Sequence, residues 1–406
     1  MEILLFSVMN KQQTPIDDAV EFLQRSQSVG AWVIYDYRKI NPIFWSVMAK
    51  LLPSLTPESV TRPVFLVLPR TGEPWILVHD VDASAFTASP IKVTKFYSRQ
   101  SMIDSLTSGL SGTKSVFMEY SPKAILPRVS RIDAGTIELV KSLKIRVKSS
   151  ADILQYATQR WDQHQLDSHL KAAKDLTTIV NEAFMWIGMR APSTVTEYEV
   201  HQFIRSRYIA NNLETDKGPV VAVNGHGSDP HFVPNPNNTY HITKGDWILI
   251  DLWARKKTSN SVYADITWTG VYADAPTAEQ IKVFSTVIGA RNAATQYMST
   301  RLQENKPTQG WQVDQVARQL IDESGYGTYF THRLGHSLGS EVHSEAVNLD
   351  NWETRDSRLL IPGIGITVEP GIYLPHFGVR SEINVFVTDQ GIRITTPPQD
   401  RPILIQ

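Results

Sequence analysis

Four acidic residues stand inside segments that otherwise read as apolar strands. Asp251 sits in Trp-Ile-Leu-Ile-Asp-Leu-Trp, Asp265 in Val-Tyr-Ala-Asp-Ile-Thr-Trp, Glu369 in Gly-Ile-Thr-Val-Glu-Pro-Gly and Glu382 in Val-Arg-Ser-Glu-Ile-Asn-Val. Acids are depleted in strands, and a buried carboxylate is costly unless it is paired or holds a metal. Any one of them reads as readily as a structural acid, hydrogen-bonded in the core or on the exposed face of a strand, as it does as a ligand. Four on paired strands, two in each of two similar halves, point to a shared ligand. A histidine-rich segment, His332 to His343, adds His336 between Gly335 and Gly339, where small neighbours let the backbone approach closely. Carboxylates with one imidazole form a hard, mostly oxygen donor set that suits Mn²⁺, Co²⁺, Fe²⁺ or Zn²⁺. Four ionised carboxylates carry about −4, which two divalent cations would neutralise. Two such ions about 3.5–4 Å apart can activate one water and stabilise the oxyanion it creates.

These residues need elements to hold them. Apolar periodicity predicts a long helix over roughly His164 to Met189. A second helix is signalled by Ser/Thr-x-x-Glu capping boxes at Thr194–Glu197 or Thr196–Glu199. Strands follow at Trp247–Leu252 and Val262–Thr267, and Arg255 to Asn260 between them reads as a hairpin loop. The order then recurs. Thr277–Gln280 caps a helix to about Met298, and another spans Trp311–Glu323 with Gly325 as its stop. Strands come next at Gly365–Glu369 and Val379–Val387. Two helix–helix–strand–strand halves predict an internally duplicated α+β domain over 156–406. The first 155 residues read as a smaller α/β domain. Its strands fall at Ala31–Tyr35, Pro63–Leu68, Trp75–His79 and Ser115–Glu119, the middle two joined as a hairpin through Arg70 to Pro74.

Composition narrows the function. With Lys+Arg 40 against Asp+Glu 41 in 406 residues, the net charge is −1. Nucleic-acid binders usually show a basic excess, so none is expected here. No cysteine is present, which removes thiol nucleophiles, Cys zinc sites, iron–sulfur clusters and disulfides together. The apolar stretch Ile3 to Met9 follows Glu2 and has no small-residue cleavage site after it, so it does not read as a signal peptide. No run approaches the roughly 18 apolar residues of a membrane span. The expectation is a cytoplasmic enzyme with no membrane partner.

The order Asp251, Asp265, His336, Glu369, Glu382 resembles the five metal ligands of the pita-bread metallopeptidases (family M24). That group contains methionine aminopeptidases, aminopeptidase P and prolidase. The local motifs agree: Leu-Ile-Asp-Leu, Tyr-Ala-Asp-Ile-Thr, Gly-His-Ser-Leu-Gly-Ser-Glu-Val-His, Val-Glu-Pro-Gly-Ile-Tyr and Gly-Val-Arg-Ser-Glu. The resemblance implies a pita-bread catalytic domain with pseudo-twofold duplication over 156–406. Residues 1–155 resemble the creatinase-type domain that precedes it in proline-specific members. It further implies a homodimer, two divalent ions with Mn²⁺ the first expectation and Co²⁺ or Zn²⁺ the others, and Xaa-Pro peptides as substrates. Asp251 would chelate one ion, Asp265 and Glu382 would bridge both, and His336 and Glu369 would hold the second. Glu369 would also be the general base. His231 and His343 match the two histidines that orient the scissile carbonyl. Arg380 matches the Gly-Val-Arg arginine, which either forks a substrate carboxylate or pairs with an acid.

Some positions depart from the family pattern. The 14 positions from Asp251 to Asp265 are more than is usual there. Trp268 stands where prolidase-like members often carry Arg, so a cation near the site is expected to be missing. Ser344, Ser381 and Ile383 also differ, but none removes a ligand. The leading expectation is a dinuclear Xaa-Pro dipeptidase. The alternatives are an aminopeptidase P acting on longer Xaa-Pro-Yaa peptides and a non-peptidase member of the fold, creatinase-like or binding.

Overall fold

Strands with apolar residues at every position need cover on both faces, and the first unit supplies it. The computed structural model describes residues 14–26, 28–190 and 195–406. Both Ile3–Met9 and the Thr194 cap lie outside them. The chain divides into two units, Met1–Thr158 and Gln159–Gln406.

In the first unit six strands order as β4-β3-β2-β1-β5-β6. They are β1 (Ala31–Asp36), β2 (Val64–Pro69), β3 (Trp75–His79), β4 (Lys92–Phe96), β5 (Ser115–Met118) and β6 (Arg146–Ser149). The two-residue alternation splits the apolar side chains between the faces. Trp32, Ile34, Leu66, Leu68, Ile76 and Val78 meet α1 (Pro15–Arg25), α2 (Pro42–Leu51) and α5 (Ala151–Thr158). Val33, Tyr35, Phe65, Val67 and Leu77 meet α3 (Arg99–Gly109) and α4 (Ala134–Ser142). The β2–β3 hairpin forms as the Gly-Glu-Pro turn predicts. A boundary after residue 155 would cut α5, whose Ile153, Leu154 and Ala157 pack in this core. The break follows the end of that helix.

In the second unit α6 (Gln163–Arg190) and α7 (Glu197–Ala210) cover one face of a sheet. That sheet contains β7 (Leu213–Glu214), β8 (Val220–Val223), β9 (Trp247–Lys256), β10 (Ala264–Val271) and, at its edge, β17 (Ile403–Leu404). Then α8 (Ala278–Gln303) and α9 (Gly310–Glu323) cover a second sheet. It contains β11 (Ser337–Leu338), β12 (Gly365–Val368), β15 (Ile383–Thr388) and β16 (Gly391–Ile394), with β13 (Gly371–Leu374) and β14 (Phe377–Arg380) as a separate hairpin. The helix–helix–strand–strand order thus occurs twice. Among the described residues no helix is long and apolar enough to cross a membrane.

Three local expectations need correction. Arg255 and Lys256 are strand rather than loop, because β9 continues against β7 and their charges find Glu214 and Asp175. The predicted strand Val379–Val387 is broken at Ser381–Glu382, where the chain passes from the β13–β14 hairpin into the second sheet. There the Ser381 N–H donates to the carbonyl of Pro370 and the Glu382 N–H to that of Thr267. Finally, Trp268 packs among the residues facing α6 and α7, on the face opposite Asp265. Three positions separate the two, so strand alternation puts them on opposite faces, and an arginine at 268 would not have faced the carboxylates.

Candidate metal centre

Alternation and register together bring the first two acids onto one face. In the antiparallel β9–β10 pair Asp251 lies opposite Thr267 and Trp253 opposite Asp265, so all four side chains share a face. Their neighbours Ile250, Leu252 and Ile266 point to the helices. From the other half, His336 precedes β11 and Glu369 follows β12. A Cβ on Gly335 would collide with the Thr367 carbonyl, so that glycine lets β12 come close beside His336. Glu382 enters from the break before β15.

The side chains converge. One donor atom each from Asp265, His336 and Glu382 lies within 4.8 Å of the others. His336 Nε2 is 3.3 Å from Glu369 Oε1 and 3.7 Å from Asp265 Oδ2. Two buried threonines hold the glutamates. The Thr267 hydroxyl donates to Glu382 Oε2 at 2.9 Å and accepts from Arg380 Nε at 3.0 Å. The Thr367 hydroxyl donates to Glu369 Oε1 at 3.0 Å and accepts from the His336 N–H at 2.9 Å. Among the described residues three buried oxygens here have no hydrogen-bond partner: Asp251 Oδ1, Asp265 Oδ1 and Glu382 Oε1. Leaving such groups unpaired costs about 1–3 kcal/mol each, more for charged ones.

Electrostatics reinforces this. Burial first, then the neighbouring carboxylates, pushes Asp265 and Glu382 well above the usual carboxylate range. Burial pushes Glu369 up to about 7 against the pull of Arg380 and Arg333. Burial and the adjacent His343 hold His336 well below the ordinary imidazole value, in the neutral form that ligates metals. A cluster that resists its own ionisation and keeps bare oxygens fits divalent cations, which supply the missing positive charge.

The remaining predicted residues fall in different places. The His343 ring meets His336 edge to face at 4.3 Å. His231 is exposed in the loop after β8, and among the described residues no hydrogen bond or ring contact ties its side chain to the cluster. Arg380 is 4% exposed, with Nε on Thr267, one terminal nitrogen on Tyr373 and the other 2.5 Å from Asp251 Oδ2. Of its two expected roles, the geometry shows the pairing with an acid. The supporting residues Thr267, Thr367, Tyr373 and His332, whose Nε2 lies 2.7 Å from the Tyr373 hydroxyl, were given no role from sequence. Thr267 and Thr367 were within reach of it, each lying two positions from an acid and so on the same strand face.

Comparison with known proteins agrees with this geometry. The model of metallopeptidase family M24 matches residues 168–389. An Xaa-Pro dipeptidase of Pyrococcus furiosus is 29% identical over 295 residues, 71% of this chain and 73% of its own. A prolidase from Pyrococcus horikoshii superposes with a TM-score of 0.61 at 25% identity, covering 96% of this chain and 99% of that one. The dipeptidase PepE from Mycobacterium ulcerans gives 0.68 at 21% identity, covering 96% and 97%.

Proposed function

The chain belongs to metallopeptidase family M24, metal-dependent hydrolases of the pita-bread fold, and from that premise we propose that it hydrolyses the Xaa-Pro bond of dipeptides. The observation that carries this reading is the set of unpartnered buried oxygens on Asp251, Asp265 and Glu382 beside a neutral His336. Asp251, Asp265, His336, Glu369 and Glu382 would hold two divalent cations, Mn²⁺ first among them. When bound, the pair supplies a water nucleophile at neutral pH and polarises the scissile carbonyl.

The chain's own groups do the rest. The Glu369 carboxylate takes the proton of the attacking water and returns it to the proline nitrogen as the C–N bond breaks. Thr367 fixes the Glu369 carboxylate through Oε1. His343, beside His336, and His231, on its exposed loop, donate to the carbonyl oxygen as it gains charge. Arg380 anchors Asp251 rather than reading a substrate carboxylate, because it is buried and each of its three nitrogens already donates one hydrogen bond inside the protein. The Xaa-Pro preference rests on the similarity to the P. furiosus enzyme.

The test is hydrolysis of Ala-Pro against Ala-Pro-Ala by protein dialysed with chelator and given back Mn²⁺. Cleavage of Ala-Pro alone is expected. Cleavage mainly of the tripeptide would make the chain an aminopeptidase P, and activity on neither with any metal would overturn the peptidase reading.

A further inference from the structure

Strand β10 carries Asp265, and among the described residues only β9 runs along its full length. Its opposite edge is closed one alternate residue at a time. At Tyr263 the N–H donates to the Gly339 carbonyl and the carbonyl accepts from His169 Nδ1 at 2.8 Å. At Asp265 the N–H donates to Asn384 Oδ1 at 3.0 Å and the carbonyl accepts from Asn384 Nδ2 at 2.7 Å. At Thr267 the carbonyl accepts from the Glu382 N–H at 3.2 Å. At Thr269 the N–H donates to Gln399 Oε1 at 2.9 Å and the carbonyl accepts from Gln399 Nε2 at 2.6 Å. At Val271 the carbonyl accepts from the Ile405 N–H, where β17 has taken over.

Two side-chain amides therefore do the work of a neighbouring strand. A primary amide carries the same donor and acceptor as a peptide group, so it can satisfy both main-chain groups of one residue. A continuous strand on this edge would lay its own backbone past Thr267. Two amides at 265 and 269 leave that position open, and there the Glu382 main chain enters. Glu382 then also receives the Thr267 hydroxyl on its side chain. Asn384 lies two residues beyond Glu382, at the start of β15, and is fully buried. Its own N–H donates to Thr396 Oγ1 at 2.8 Å and its carbonyl accepts from the Thr395 N–H at 2.9 Å. The short link Glu382–Ile383–Asn384 thus ties one acid's main chain to the backbone of the other.

Building on the metal-centre reading above, we infer that Asn384 is a positioning residue. Its amide fixes the Asp265 backbone, and thereby the distance at which the Asp265 and Glu382 carboxylates face each other across the ions. Gln399 makes the same pair of bonds four residues along, where no ligand sits. It serves the fold of the strand edge alone and is the natural comparator. Residues that orient ligands from behind typically account for about 10–100-fold in metal affinity.

The experiment measures Mn²⁺ binding by equilibrium dialysis for the unaltered chain, Asn384→Leu and Gln399→Met, with thermal melting and dipeptide kinetics on each. Both substitutions delete one amide from the same strand edge and should lower the melting temperature alike. Asn384→Leu is expected to weaken Mn²⁺ binding about 10–100-fold and to lower kcat with KM nearly unchanged. Gln399→Met should keep its affinity within about twofold, well short of that range. If Asn384→Leu does not accumulate folded, Asn384→Asp takes its place. It keeps the shape and the acceptor for the Asp265 N–H but loses the donor to its carbonyl, and weakened binding is again expected. Equal affinities in the Asn384 and Gln399 variants would overturn the inference and leave the amide a purely structural brace. No Mn²⁺ binding by the unaltered chain would overturn the metal-centre reading itself, and the inference with it.

Discussion

Each unit of the molecule buries acid, and it does so in two different ways. In the first unit Glu119 is fully buried just after β5, yet both its oxygens are taken. Trp32 Nε1 donates to one at 2.7 Å and Asn41 Nδ2 to the other at 3.0 Å. Asn41 in turn caps α2 through the Ile43 N–H and donates to the Tyr35 carbonyl. In the second unit Asp251, Asp265 and Glu382 each keep one oxygen with no donor. Burial and a raised pKa are common to both regions, since burial alone pushes Glu119 up to about 7 despite its hydrogen bonds. What separates a brace from a binding centre is the bare lone pair. A filled set of donors fixes structure, whereas buried lone pairs left without a donor suit a cation.

The sharpest way to break this contrast is to neutralise one acid of each kind by an isosteric change. Asp265→Asn should abolish Mn²⁺ binding and cost about 10³-fold or more in kcat/KM, several kcal/mol of transition-state stabilisation. Glu119→Gln should leave both intact. The metal-free Asp265→Asn protein should melt no lower than the unaltered chain, because one of four crowded acids, whose joint ionisation is unfavourable, has been removed. Metal binding retained by Asp265→Asn, or lost in Glu119→Gln, would show that the lone-pair criterion is wrong.

A second contrast is read from stability against pH. Glu119 titrates near 4.5 unfolded and at about 7 folded. Its folded pKa is the higher, so its contribution is fully present below 4.5 and is lost as pH rises through 7. The loss is roughly 3 kcal/mol for a shift of this size. His169, buried in the second unit against the Tyr263 carbonyl, runs the other way. Burial pushes it down to about 4 from 6.5, so its contribution is present above 6.5 and lost as pH falls through 4. Urea midpoints at pH 5 and pH 8 should show Glu119→Gln gaining on the unaltered chain toward pH 8. Between pH 7 and pH 4 the unaltered chain should lose stability that His169→Asn does not. Parallel curves for variant and parent would mean that neither group is buried as described.

The contrast also marks what could be read from sequence. The five ligand candidates were legible because charge inside an apolar strand is unusual, and because Gly335 beside His336 signals close packing. The parity of Trp268 and Asp265 was equally legible, and following it would have corrected the expectation that a cation there serves the site. Asn384 was not legible. A neutral amide in a strand looks ordinary until the edge it faces is known, and that edge is a product of tertiary register. The break at Ser381–Glu382 was hidden for the same reason. Its signal is the hydrogen bond from Glu382 to Thr267, which spans the two halves of the unit. Arg380 was ambiguous because arginine forks substrate and protein carboxylates alike, and only the position of Asp251 decides between them.

The smallest expected effect follows from mass action, and it localises the difference between the regions. A cation that binds only the folded state stabilises by about 2.7 kcal/mol at a concentration one hundred times its Kd. That gain should appear as slowed amide exchange in the strands whose side chains or edges meet at the centre. Those are β9, β10 and β15, where Asp251, Asp265 and the Glu382–Asn384 link lie. Strands β1, β2 and β5 lie around Glu119, whose two oxygens both have donors, and should exchange at the same rate with Mn²⁺ or with chelator. Slowing confined to the second unit would tie the bare oxygens to the bound ion. Equal slowing in both units would instead mean that the two share one opening reaction, and that the braced acid of the first is energetically continuous with the open centre of the second.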